Sequence, residues 1–468
     1  MVSKTETIYF PLRVLGAVSG FFAALLIVSV SLEGLQLAIK NKLRVYISFL
    51  AVSSIFLWPP FLSVSLSFMT DSLAVLFGCL GILALGRFLD SSTWLNFLLA
   101  AISTWVGVAQ RQFLFLLPIS VFLIFVLSTK RKSQLKSVEL LKNKNHLKMF
   151  IQLGVFLISL PVIHVWWAQI SPLKSPPLEL LGDFKCLQRP YEYLLCLGFP
   201  FFPLVLLPEV PSHELPIKHQ RIFRKTFLFC TFLTGVLLMF GLGFPFFNNL
   251  LSNYGFFGLN EVLLGSREIV ITYPIRVVLT VFGLLGARRI ILGLIIVFGD
   301  SKISNAVRVL LCFSGFYFGM LVVRNGHLDR YLILLLPGSL YLFLRSVCSD
   351  GFNRKRIVGC ILLVAVNFIF STTLVSDYFR WNEGRWKLIG LALDHYKVLP
   401  RDLNGGYEFT GAIEKEPWSW SNPNTFTHVV SFSPLPGFRE IDKVAYRSYW
   451  GQKNKLMYLL KRIESTEK

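Results

Sequence analysis

Nearly continuous apolar runs of about 16 to 22 residues recur along the chain. As a helix, each is long enough to cross a hydrocarbon core of roughly 30 Å. Lipid offers no partner to a peptide group, so a run placed there must satisfy its own N–H and C=O groups as a helix. The composition agrees: 54% of the 468 residues are hydrophobic and only 16% are charged, against about 25% charged in an ordinary soluble domain. A soluble fold cannot bury that much apolar surface. A soluble enzyme, a disordered chain and a fibrous repeat are excluded. So is a β-barrel, whose strands are short and alternate in polarity. The fold class is an all-α polytopic membrane protein.

The pattern predicts about twelve spans, near 13–31, 44–63, 72–88, 94–110, 113–129, 149–168, 191–208, 225–244, 272–298, 306–323, 328–345 and 357–377. Arg288 and Arg289 interrupt the ninth, whose second half then suits the interface better than a crossing. The formal net charge is +21. From Asp377 onward, 14 basic and 11 acidic side chains account for +3 of it. The rest lies in the apolar part, mostly in four short loops: Lys40–Arg44, Lys130–Lys148, Lys218–Lys225 and Arg354–Arg356. A nucleic-acid surface is not built this way. An orienting charge bias is, and it makes these loops cytoplasmic. Twelve spans then leave both termini outside. Residues 1–377 form the membrane domain and 378–468 a small extracytoplasmic α+β domain. In that tail an amphipathic helix fits 380–397, Pro400 ends it, and THVVSFSPLPGF reads as a short strand. The seven Cys show no metal-ligand spacing, and Cys186 with Cys196 is the one pair suited to an oxidising compartment.

Ionisable groups at the outer ends of spans are the functional candidates, because charge beside hydrocarbon is costly. Asp71, in Ser67-Phe68-Met69-Thr70-Asp71, suits a divalent metal or a polarised hydroxyl, but taken alone it reads first as a helix N-cap. Arg111, in Gln110-Arg111-Gln112, suits a phosphate fork or an interfacial anchor. Arg324-Asn325-Gly326-His327-Leu328-Asp329-Arg330-Tyr331 crowds five polar or ionisable side chains into one turn. It reads as a cradle for an anionic lipid phosphate, or as a weak surface ion pair. Asp377-Tyr378-Phe379-Arg380-Trp381-Asn382 reads as an aromatic belt, or as a sugar surface combining ring faces with polar groups.

Together these residues resemble a known family. SFMTD after a proline-containing span, Arg111-Gln112 before an apolar run, Asp329-Arg330-Tyr331 before a Leu/Pro-rich span, the DY-x-x-WN-x-x-RW stretch from Asp377 and GGYE at 405–408 are similar to bacterial membrane proteins of the glycosyltransferase family 39 type. These belong to the GT-C superfamily, with the dolichyl-phosphate-mannose protein mannosyltransferases. The resemblance runs from about Arg13 to the end.

It implies an enzyme that moves a sugar from a polyprenyl-phosphate donor to an acceptor at the outer face, with inversion and general-base catalysis. Asp71 would be the catalytic carboxylate and the ligand of a divalent metal, Mg or Mn. Arg111, Arg324 and Arg330 would hold the donor phosphate. Gln112, His327, Asp329, Tyr331, Trp381, Asn382, Tyr407 and Glu408 would contact sugar or acceptor. The partners are the lipid-linked donor and membrane lipids, with no nucleic acid. The absence of an N-x-S/T sequon fits a bacterial inner membrane. Such enzymes carry an acid in their first outer loop. Here the acids before Asp71 are Glu6 and Glu33, so the chain is expected to lack the family's first helix and loop. A polytopic transporter or lipid flippase, and a non-catalytic derivative of the enzyme family, are the competing classes.

Overall fold

A computed structural model describes residues 2–33, 41–66, 71–132, 144–170, 185–211, 215–246, 250–256, 263–300, 303–324, 329–348, 352–406, 409–410, 425–451 and 454–463. The helices are α1 (Val2–Glu33), α2 (Asn41–Phe56), α3 (Pro59–Leu66), α4 (Asp71–Ser91), α5 (Trp94–Gln110), α6 (Leu116–Lys132), α7 (Lys144–Ile170), α8 (Lys185–Gly198), α9 (Ile217–Met239), α10 (Tyr273–Gly299), α11 (Asn305–Val323), α12 (Leu336–Arg345) and α13 (Arg354–Gly390). They fall into two units. One holds Phe10–Phe244 and Leu279–Asn367; the other holds Met1–Tyr9, Pro245–Val278 and Phe368–Lys468.

The chain is an integral membrane protein of apolar helices, but twelve spans is too many. Among the described residues six helices are long and apolar enough to cross a bilayer, or seven if α2 and α3, bent by 70°, count as one span. Short apolar helices, Trp94–Gln110, Gln112–Leu127 and Leu147–Ser159, account for part of the difference, and local breaks for the rest. Pro59 and Pro60 end the helical run that began in α2, since proline removes an N–H and clashes with the preceding turn. The expected span at 191–208 divides into α8 and a 3-10 segment, Phe199–Leu204, which carries Pro200 and Pro203. The expected span at 328–345 divides into a 3-10 segment, Asp329–Leu335, and the ten-residue α12. The ninth run is corrected the other way. Arg288 and Arg289 do not divert it, and α10 runs unbroken for 27 residues. The last span and the expected tail helix are likewise one element, α13 followed by a π-turn at Leu391–His395, with Pro400 opening the next turn.

In the larger unit α4 and α5 form an antiparallel hairpin. Ser92 turns it at φ +47°, and Thr93 caps α5 by accepting the Asn96 N–H at 3.3 Å. Helix α11 packs along α4, with Gly86 against Ala306 and the Asn305 amide donating to Asp90 at 2.7 Å. Residue Gly198 lies backbone-to-backbone against Gly283 and Gly286 of α10. A Cβ on Gly286 would overlap the Gly198 carbonyl. Gly286→Ala is therefore expected to destabilise the unit by about 1–3 kcal/mol, read as a lower apparent Tm in detergent. Gly235→Ala, with nothing within 4 Å of the added atom, should be neutral or slightly stabilising.

The other unit carries the small sheet expected of an α+β tail. Strands β1 (Leu251–Ser252) and β2 (Gly255–Phe256) form a two-residue ribbon. Strands β3 (Leu403–Asn404), β4 (His428–Ser431), β5 (Phe438–Arg447) and β6 (Asn454–Arg462) form a sheet ordered β3-β4-β6-β5. Strands β3 and β4 pair in parallel, and a bulge at Glu440/Asp442 interrupts the long antiparallel β5–β6 ladder.

Candidate active site

Helix α4 opens on Asp71 and runs away from it. Helix α5 returns and ends on Arg111, so the hairpin brings two residues 40 positions apart to one end of the larger unit. The Arg111 guanidinium donates to the Asp71 carboxylate at 2.6 Å. Asp71 is 4% exposed, so the pair is sheltered from water and the charge attraction is stronger than at an open surface.

The same end collects the DRY turn. Arg324 caps α11, its N–H bonded to Met320. Its guanidinium lies 5.1 Å from the ring centres of both Phe113 and Tyr331. Phe113 meets Tyr331 edge-on at 5.7 Å. Arg330 also lies over the Tyr331 ring, 5.6 Å from its centre. Asp329 is buried and its carboxylate accepts the Arg330 N–H at 2.9 Å. Gln112 opens the 3-10 turn between α5 and α6.

Two residues of this site were missed from the sequence. Tyr317, wholly buried on α11, donates its hydroxyl to the Tyr331 carbonyl at 3.0 Å. Arg189, buried on α8, donates to the Arg324 carbonyl at 2.7 Å. Tyr317 sits inside an apolar run and gave no signal. Arg189 gave none either, since it precedes the apolar run read at 191–208.

Three buried nitrogens at this end have no hydrogen-bond partner among the described residues: Nε of Arg111, Nη1 of Arg324 and Nε of Arg330. An unpaired buried donor costs about 1–3 kcal/mol, and more on a charged group. A multidentate anion would supply the missing acceptors. Asp71 already accepts from the Arg111 guanidinium, so a divalent metal there would compete with that pair. His327, Tyr407 and Glu408 lie outside the described residues.

Trp381 and Asn382 belong to the smaller unit, on α13. Trp381 is 1% exposed and packs edge-on against Phe432 at 5.2 Å. Arg267 lies 5.3 Å over Trp381 and 4.6 Å over Phe432, and reaches Asp377 at 3.4 Å. Burial pushes the Tyr446 hydroxyl beside it up to about 12, with Arg267 opposing and Asp377 adding. Burial also draws the Arg267 guanidinium below its ordinary value, against the pull of Tyr446 and Asp377. Cys196 is buried, and the Cys186 side chain lies outside the described residues. No protein-family model, no curated protein and no solved structure matches the chain.

Proposed function

We propose that the chain is a GT-C-type membrane glycosyltransferase that moves a sugar from a polyprenyl-phosphate donor to an acceptor hydroxyl, at the outer face of a bacterial cytoplasmic membrane. The observation that carries the reading is the set of three half-buried arginines with unpartnered N–H groups at the end that also holds the buried carboxylates Asp71 and Asp329. Asp71 takes the proton from the acceptor hydroxyl as its oxygen attacks the anomeric carbon. The bond from that carbon to the phosphate oxygen breaks, and the configuration inverts. Arg324 and Arg330 take the charge that gathers on the departing lipid phosphate. Arg111 holds the Asp71 carboxylate in place. Gln112 and Tyr331 lie where they can contact the sugar. The acceptor, whether glycan, lipid or protein, is recognised beyond this arginine cluster. No step is assigned to a metal.

The test is transfer of labelled sugar by the purified protein from a polyprenyl-phosphate donor, with release of polyprenyl phosphate. Arg324→Lys and Arg330→Lys keep the charge but lose the planar fork and its stacking on Phe113 and Tyr331. Each is expected to raise the donor KM by roughly tenfold, the loss of one good charge-assisted hydrogen bond. Arg401→Lys, an exposed control, should be silent. Unchanged donor KM and turnover in both variants would remove the phosphate role.

A further inference from the structure

A second basic site lies in the larger unit, at the end opposite Asp71. There the start of α13 packs on the segment after the 3-10 turn, with Gly359 against Leu206. A groove of about 500 Å³ opens at this junction, lined among others by Leu206, Glu209, Arg289, Asn353, Lys355 and Arg356. Its one carboxylate is already neutralised, because Glu209 pairs with both Arg288 and Arg289. Lys355 and Arg356 are exposed and have no ion-pair partner among the described residues. The groove is therefore net positive. Below it on α13 the surface turns apolar: Val358, Ile361 and Leu362 are 45%, 49% and 61% exposed, and Leu206 beside them is 43% exposed. Residues 355 to 362 span roughly 10 Å of helix rise. A cationic groove above a bare apolar strip, at the end of a membrane-crossing helix, matches a molecule with an anionic head and hydrocarbon tails.

We infer that this groove binds the phosphodiester headgroup of an anionic membrane phospholipid, with its acyl chains along the Val358–Leu362 face. Lys355 and Arg356 meet the phosphate, and Asn353 stands beside them. The inference does not depend on sugar transfer.

The test is native mass spectrometry of the purified full chain with phosphatidylglycerol or phosphatidylcholine of the same acyl chains, and with inorganic phosphate as competitor. Phosphatidylglycerol is expected to be retained well above phosphatidylcholine. Each cation near an anionic lipid surface contributes about fivefold, so the double variant Lys355→Gln/Arg356→Gln should weaken phosphatidylglycerol binding roughly thirtyfold and leave phosphatidylcholine unchanged. Both side chains are exposed, and an unchanged size-exclusion profile confirms folding. Lys397→Gln/Arg401→Gln is the charge-matched control and should bind as the unaltered protein does. Equal retention of the two lipids, or full phosphatidylglycerol binding by the double variant, overturns the inference. So does complete displacement by millimolar inorganic phosphate, which would make the groove a site for the free anion.

Discussion

Asp71→Asn is expected to lower turnover by about a hundredfold or more, with the donor KM changed by less than threefold. The amide keeps the size of the carboxylate and an oxygen for the Arg111 guanidinium, now 2.6 Å away. It also remains a good residue for a helix start, so loss of capping costs well under 1 kcal/mol. What it cannot do is accept the acceptor's proton. Arg111 loses its counter-charge, but its side chain is 22% exposed and partly solvated, so the protein should still fold. Turnover and KM are measured by transfer of labelled sugar, and folding by size-exclusion profile. Near-normal transfer by well-folded Asp71→Asn would return the residue to a helix-start role. Low transfer with a large fall in Tm would show a structural pair instead of a base.

Arg289→Met is expected to be the most destabilising of these changes, at about 3–5 kcal/mol. Arg289 is 2% exposed in the middle of the larger unit. It donates to the Leu207 carbonyl, to Val205 and Pro208 at 3.4 Å each and to Ser346 at 3.0 Å, and stands 3.5 Å from Glu209. These carbonyls belong to two short segments, after the 3-10 turn and after α12, which also bond each other, Cys348 N–H to Pro208 and Val210 N–H to Ser346. One guanidinium therefore ties two irregular strands of chain to α10. Methionine fills similar space but takes the guanidinium donor from the Val205 and Leu207 carbonyls and from Glu209. The apparent Tm in detergent should fall by roughly 5–15 °C. Arg289→Lys should recover only part of the loss, because an ammonium has three donors and no planar fork. A Tm within about 2 °C of the unaltered protein would mean that water replaces these bonds freely.

Much of the site was legible because charge is rare in such a chain. Asp71, Arg111, Arg324 and Arg330 stand out as ionisable groups at the ends of apolar runs, and the larger unit brings them to one end. Arg189 and Tyr317 were not legible, because their roles are hydrogen bonds to carbonyls far away in sequence. Arg288 and Arg289 were misread for a related reason. A charged pair in an apolar run reads as an interruption until Glu209, 79 positions earlier, is seen beside it.

The sequence by itself determined that this chain is built from membrane helices with a small polar α+β tail. Hydrocarbon length and backbone self-sufficiency leave no other use for repeated apolar runs, and alternation marks β4 even within a short motif. It did not determine how many runs cross. An apolar run broken by proline or a 3-10 turn has the composition of a span without its length, and only packing shows whether it bends back, as at Pro59–Pro60, or ends short, as at Leu336–Arg345. The tertiary structure alone decided which charges are compensated. Asp71 is answered by Arg111, and Arg289 by Glu209 and the carbonyls of two segments, while Lys355 and Arg356 face an open groove. A buried charge is tolerable only with a partner, and partners are chosen by the fold.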